Sequence, residues 1–595
     1  MLMLLRLLLL LLLLLSTSAR AQTIHYVDTD ANGASDGTSW ADAFPDLQAA
    51  LTATASGDEL WVAEGTYTPT PGTDREATFQ LVSGVALYGG FEGTEMSRDQ
   101  RDWGLHETIL SGDIGAPGTA TDNSYHVVTG SGTDATAILD GFTVTGAYAD
   151  GLFPRNRGGG MRNVNGSPTI RHIIFRENHA RRSPDNRDAF GAGMYNESGS
   201  SPLLEDVRFE RNVAGTPGNG AAGGLANRFS SSPTLRGVVF LENEAGALAG
   251  GMANESNSSP LMVDVQFIRN TSEGWTGGLD NYDDANPTLV NVVFFGNACA
   301  NYGGGMTNDT NGNATLINVL FVGNVARNEA AAGAGGLQNN GSSSTLVGVT
   351  FIGNDAPDGA ADGLGHRGSG SVTLRSSIHW DNGDELVDET SGGLDVTHAL
   401  VSGGFASGTA IIDADPLFVR APSPGPDALW GTSDDDYGDL RLQNGSPALD
   451  AGDAAHLLPD VGDLDEDGNT AEPTPFDLAG GPRVTATTLD LGAYEGGIAV
   501  SNEGSAEARS APDLGVLSPN PARGPVTIPF TLPTPARVSL TVLDARGRTI
   551  ARLLDERRPA GSHTLRWSTA DLAAGSYLVV LHAGGTRRVR TLILT

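Results

Sequence analysis

Carboxylates recurring at fixed intervals are the residues of this chain best placed to do chemistry. Glu255 and Asp309 stand 54 residues apart, twice the 27-residue step of a phrase repeated along the chain, with Asp280, Asp283 and Asp284 between them. If each copy of the phrase is one coil, Glu255 and Asp309 share a column. Glycoside hydrolysis needs two carboxyls about 5 Å apart for retention or roughly 6.5–9.5 Å apart for inversion. Coils stacked at the strand spacing of about 4.8 Å meet either demand with acids one or two coils apart. These five acids are the catalytic candidates if the chain is an enzyme. The same spacing also arises by coincidence on the solvated face of an acidic solenoid.

Two other groups carry chemistry. Tyr195, Arg228 and Tyr282 fall beside the same acids, in a polar stripe with aromatics of the kind that holds sugars. Arg176, Arg181 and Arg182 belong to a cluster with Arg155, Arg157, Arg162, Arg171 and Arg187. Guanidinium pairs bidentately with carboxylate, so this patch suits a uronate chain or salt bridges to the protein's own acids. Further on, Asp463-x-Asp465-x-Asp467-Gly468-Asn469 copies the first half of an EF-hand calcium loop, alternating oxygen ligands before a glycine turn. Position twelve is Thr474 and no helix flanks it, so the motif is a calcium-stapled loop, helped by Asp460 or Glu472, or a solvated acidic turn. No other cofactor is required.

What must position these residues is the repeat of residues 158–382. Each copy opens with Gly-Gly-Met or Gly-Gly-Leu, reaches an asparagine two residues on, crosses a turn and closes with Val-x-Phe-x-x-Asn. The closing residues are Phe175, Phe209, Phe240, Phe267, Phe294, Phe321 and Phe351, at steps of 34, 31, 27, 27, 27 and 30. Asparagines follow three residues later, and a second column runs from Asn163 to Asn339. Self-similarity at this period means a solenoid. The alternation is strand-like and no copy holds a helix-length amphipathic run, so the expected fold is an all-β parallel β-helix with asparagine ladders inside its turns. Insertions fall after the ladder asparagine, at 179–190, 213–221 and 325–333.

Columns aligned on Val-x-Phe have unlike faces. Early coils place Arg171, Ile174, Arg176, Glu205, Arg208 and Glu210 outward. Later ones place Val290, Val293, Phe295, Ile317, Leu320 and Val322 there. Strands apolar on both faces are buried on both, so something covers the sheet over coils 263–352, either segment 383–500 or a partner. On the Gly-Gly-Met face the positions expected outward are Tyr195, Ala226, Ala253, Asp280, Thr307 and Gln338.

The ends bound the rest. Residues 1–21 join Arg6 to an unbroken leucine run and Ala19-Arg20-Ala21, a secretory signal peptide cut between Ala21 and Gln22. No later stretch is apolar enough for a membrane helix in the mature form. The lone Cys299 excludes an internal disulfide. A net charge of −35 argues against nucleic acid as a partner. Residues 22–157 read as cap and first coils, with a helix from Phe44 to Ala55 over the open end. Residues 383–500 are an acidic, loop-rich closing region and 501–513 a linker. Residues 514–595 hold eleven arginines against four acids and read as a small immunoglobulin-like β-sandwich.

The phrases Tyr26-Val27-Asp28, Ala63-Glu64-Gly65-Thr66-Tyr67, Leu87-Tyr88-Gly89-Gly90-Phe91 and Leu139-Asp140-Gly141-Phe142 resemble secreted right-handed β-helix proteins of the pectate-lyase-like group. Gly445-Ser446-Pro447-Ala448-Leu449-Asp450-Ala451-Gly452 and Leu491-Gly492-Ala493-Tyr494-Glu495 resemble choice-of-anchor domains. Ser518-Pro519-Asn520-Pro521, Leu543-Asp544-Ala545-Arg546-Gly547-Arg548 and Leu572-Ala573-Ala574-Gly575-Ser576-Tyr577 resemble the type A C-terminal sorting domain of type IX secretion. That resemblance implies passage through the periplasm to the cell surface or outside, with the secretion machinery as partner. β-helix polygalacturonases carry Gly-His-Gly and Arg-Ile-Lys motifs. Gly365-His366-Arg367-Gly368 only echoes the first, and a chain without lysine cannot have the second. The sequence therefore favours a non-catalytic protein binding polysaccharide or a surface protein, with a polysaccharide lyase or glycoside hydrolase as alternative.

Overall fold

The computed structural model describes residues 22–594, apart from 328–332, 358–359, 391–392, 485–487, 497–511, 516, 521, 533–535, 545–548, 560, 570–571, 573–574 and 584–585. The expected signal peptide, with Ala21 of its cleavage site, and most of the expected linker lie outside the described residues. Part of the insertion at 325–333 does too.

Residues 24–412 wind into a parallel β-helix. One coil consists of strands such as Met194–Glu197, Leu203–Glu205, Arg208–Glu210 and Val213–Ala214. Stacked copies form sheets of 11, 24 and 7 strands, the largest taking two strands from each regular coil. The bend between those two strands needs a left-handed backbone, which Asn, Asp and Gly tolerate best. Asp206, Asp264, Asn291 and Asn318 occupy it at φ 53° to 56°, and Gly237 and Gly348 at 64°.

The repeat spacing becomes a register. Phe175 pairs with Phe209, Phe209 with Phe240, and so on to Phe351. Successive rings stack with centroids 4.6–5.0 Å apart and planes within 10°. Beside them runs a ladder from Asn178 to Asn382. Asn243 donates both its side-chain amide (2.9 Å) and its backbone N–H (3.0 Å) to Asn270 Oδ1, and Asn270 does the same to Asn297. Each amide also satisfies a strand carbonyl, as Asn270 does for Phe240 O at 3.0 Å. Glu385 receives the last rung, from the backbone N–H of Asn382 at 3.1 Å. The second column is likewise bonded from Asn163 to Asn308.

The N-terminal end is closed by helix Leu47–Ala53, shorter than the expected 44–55. Asp46 caps it, accepting from Gln48 N, and Leu47, Ala50 and Leu51 are buried against the first coils. At the other end the stack continues past residue 382 through Leu394–Val401 and Thr409–Ile412. The repeat's wording stops there because the later strands are longer and the asparagine ladder has been capped. Segment 418–494 then folds back over the outer face of the largest sheet. Phe418, Tyr437, Leu440, Leu442 and Leu491 pack on Leu241, Ile268, Phe295, Val322 and Ile352, and Tyr437 stacks on Phe295 at 4.8 Å. The buried Arg483 pins this cover internally, bonding Glu495 at 3.0 Å and Gly492 O at 2.7 Å. The apolar outward columns are thus covered from within the chain.

Residues 513–594 form two antiparallel sheets, of three and four strands, around their own core. Strand Thr549–Arg558 pairs with Ala536–Asp544 despite a charged second half.

Candidate functional site

The Gly-Gly-Met face differs from the expected open stripe. Tyr195 is 0% exposed and Asp280 1%, because the chain just before each Gly-Gly pair runs alongside as a further column and roofs them. Bridges link Phe190 to Ala221, and Ala249 through Thr276 and Gly303 to Ala334. Tyr195, Ala226 and Ala253 lie beneath with Phe190, Ala221 and Ala249 as a small core. The Asp280 carboxylate lies 3.0 Å from the Thr276 hydroxyl, and burial pushes its pKa up to about 7. The register does put Glu255, Tyr282 and Asp309 in one column. Glu255, however, is buried and ion-paired to Arg228 at 2.9 Å. Asp283 accepts from Ser256 Oγ at 3.1 Å, and Asp283 and Asp284 form a left-handed turn at φ 57° and 63°. Of the residues predicted on this face, Tyr282, at 38%, and Asp284 are the exposed ones.

The arginines do not make one basic patch. Arg228 lies over the Phe190 ring at 4.3 Å, and Arg157 lies over Phe190 at 4.8 Å while donating to Tyr195 Oη at 2.9 Å. Arg176 is on the largest sheet, 3.4 Å from Glu107. Arg181 bonds Gly215 O and Arg182 approaches Asp188 at 3.8 Å. The six predicted ligand residues are therefore spread over separate faces, and each arginine already has an acidic, carbonyl or hydroxyl partner. That follows from acids outnumbering bases in this body.

A cluster the sequence reading did not single out sits on the largest sheet, just before the cover begins. Asp140 holds Arg101 Nη2 at 2.9 Å and His172 Nδ1 at 2.8 Å. His172 Nε2 lies 3.7 Å from Asp206, and Trp103 packs on the His172 ring at 4.1 Å. Arg98 donates to Tyr88 Oη at 2.9 Å, and Arg171 is paired with Glu205 in the next coil. Burial alone would raise the Asp140 carboxyl. The hydrogen bond from His172 and the charge of Arg101 outweigh it and hold the carboxyl below its ordinary value. A cavity of about 330 Å³ opens between Tyr88, Arg98, Arg101, Trp103, Asp140 and Arg171. The only sequence signal was that Asp140 and Arg171 occupy the outward position of one strand column; Arg98, Arg101 and Trp103 come from a loop outside the repeat.

The acidic loop keeps its expected ligands together. Single carboxylate oxygens of Asp463, Asp465 and Asp467 lie within 4.8 Å of one another, as do those of Asp460, Asp465 and Glu472. Asn469 instead turns its amide to Glu472, at 3.1 Å.

Residues 517–595 match the secretion system C-terminal sorting domain. The type IX sorting domain expected from the motifs of this segment is borne out, and such a domain sends its chain to the cell surface or the extracellular space through the secretion machinery. The sorting domain touches the cover, Arg441 Nη2 donating to Ser518 Oγ at 2.8 Å. Among solved structures, the chain is similar to a pectate lyase, Pel9A, at 14% identity and TM-score 0.41, covering 81% of this chain and 98% of that one. It is also similar to a rhamnogalacturonan lyase, at 12% identity and TM-score 0.35, covering 71% and 97%. No curated protein matches. Among the described residues no helix is long and apolar enough to cross a membrane.

Proposed function

We propose that this exported β-helix protein binds polysaccharide without cleaving it, in the cleft bounded by Tyr88, Arg98, Arg101, Trp103 and Arg171. The observation that carries this reading is the pairing of two aromatic side chains with planar, hydrogen-bonding guanidinium groups around one cavity of about 330 Å³, on the part of the sheet that the cover leaves bare. Fixed polar side chains select hydroxyl positions and the half-buried Trp103 offers an apolar contact, while the Tyr88 ring lies buried under the Arg98 and Arg101 guanidinium groups. The acids here are already matched by Arg98, Arg101, His172 and Arg171, which suits a neutral glycan better than a polyanion.

The same pairing argues against hydrolysis. A general acid needs a raised pKa and access to the glycosidic oxygen, whereas Asp140 is depressed and Asp280, raised to about 7, is buried. The test is an array of neutral and uronate polysaccharides probed with the mature protein and with Trp103→Ala. Retention of a neutral glycan, weakened about tenfold or more by the substitution, is expected, with no new reducing ends. Release of reducing ends or unsaturated uronate would replace this reading with the enzymatic one.

A further inference from the structure

The acidic loop at 460–472 differs from the ion-paired acids along the β-helix in that no described residue gives it a basic partner. Asp140, Glu205, Glu210 and Glu255 each have an arginine. Among the described residues none is ion-paired with Asp460, Asp463, Asp465, Asp467 or Glu472. The backbone nevertheless holds these five together. Asp460 N donates to Glu472 O at 2.7 Å and Thr474 N to Leu458 O at 2.9 Å, closing the loop at its base. Asp465 is the shared member of the two carboxylate triplets.

A second feature points to a ligand. Asp460 is 1% exposed, and its Oδ2 takes the Leu464 N–H at 2.8 Å, while its buried Oδ1 accepts no hydrogen bond from any described residue. A buried carboxylate oxygen without a donor costs free energy, and this carboxylate faces Asp465 and Glu472 within 4.8 Å. Oxygens around one calcium ion, each at 2.3–2.6 Å from it, stand at most about 4.6–5.2 Å apart.

We propose that this loop binds calcium, with Asp460, Asp465 and Glu472 as the inner ligands and Asp463 and Asp467 completing the oxygen shell. The ion fastens the cover to the β-helix. Leu458 and Leu464, on either side of Asp460, pack on Val263, Val290 and Ile317 of the outer face, and Arg236 donates to Gly462 O at 2.9 Å. An acidic protein exported to a calcium-containing exterior would lock its cover only after export.

The experiment uses the mature protein, stripped with EDTA and titrated by calorimetry with calcium and separately with magnesium. Saturable calcium binding at about 0.1–1 mM or tighter is expected, the range of extracellular modules, with a higher Tm and slower proteolysis within 458–474. Magnesium should produce neither change. Asp465→Asn, at an exposed position, should weaken binding about tenfold or more with an unchanged far-UV CD spectrum. Glu472→Gln gives the independent check should that variant misfold. No calcium heat and no Tm shift in the wild type would overturn the proposal. So would equal responses to magnesium, or both variants binding like the wild type.

Discussion

The early and middle coils of the largest sheet share one interior and present opposite exteriors. Phe175 and Phe294 occupy the same inward column, as do Asn178 and Asn297 in the ladder. The outward position next to each phenylalanine on the same strand differs between them. The residue after the phenylalanine is Arg176, then Glu210, in the early coils, and Ile268, Phe295 and Val322 in the middle ones. The first set makes ion pairs beside an open cleft, and the second lies beneath Tyr437 and its neighbours. Winding is specified by the inward residues, and the outward residues decide which coils are bare and which are buried again. A solenoid can thus carry a site and an intramolecular docking face on one continuous sheet.

The largest effect that could break this comparison is a matched pair of truncations in one column. Phe295→Ala empties a contact stacked on Tyr437 and should cost about 3–5 kcal/mol. Arg176→Ala loses a partly solvated pair with Glu107 and should cost under about 1 kcal/mol. Urea unfolding measures both, and equal costs would mean that the cover adds nothing to the middle coils.

The interior should behave alike in both halves. Asn212→Ala and Asn270→Ala each remove an amide that satisfies a strand carbonyl and an oxygen that accepts two N–H groups, from Asn178 and Asn243 respectively. Each should destabilise by about 2–4 kcal/mol, the cost of buried groups left unpaired. A several-fold difference between them would show that one half of the ladder is not continuous with the other.

A smaller effect sharpens the contrast through pH. Burial raises Asp280 from 3.8, and Glu385 from 4.5, to about 7. The folded state then holds protons that the unfolded state releases. Their contribution is therefore full below about pH 4 and falls as pH rises towards 7. Asp280→Asn should recover about 1–3 kcal/mol above pH 7 and flatten that slope. Asp140 in the bare cleft is depressed, so its contribution is present above its unfolded value of 3.8 and lost as pH falls through the folded one. Urea unfolding across pH 3–8 separates the two behaviours. A slope unchanged by Asp280→Asn would remove the buried acid from the account.

Much of the fold was legible because a solenoid repeats its physics with its sequence. Phe175 to Phe351 and the asparagines three residues on could be aligned by eye, and a stacked ring or bonded rung needs only identical residues in register. The covering of the apolar columns was legible for the same reason, since Phe295 and Val322 cannot face water in a row. The acidic loop was legible as a motif, but the cleft and the fate of the Gly-Gly-Met stripe were not. Tyr195 alternates as a surface residue should, yet the chain around Phe190, outside the alternating strand, lies over it. Arg98, Arg101 and Trp103 belong to no repeat, so nothing local placed them against Asp140 and His172.

The sequence by itself thus determined the period, the inward columns, the ladders, the presence of a cover and the sorting domain, all fixed by local pattern or a self-contained segment. Tertiary structure alone decided which outward residues are bare and which acids meet an arginine. Those outcomes depend on loops of irregular length crossing coils far away in the chain. The free energy of such a contact belongs to two segments at once and is written in neither.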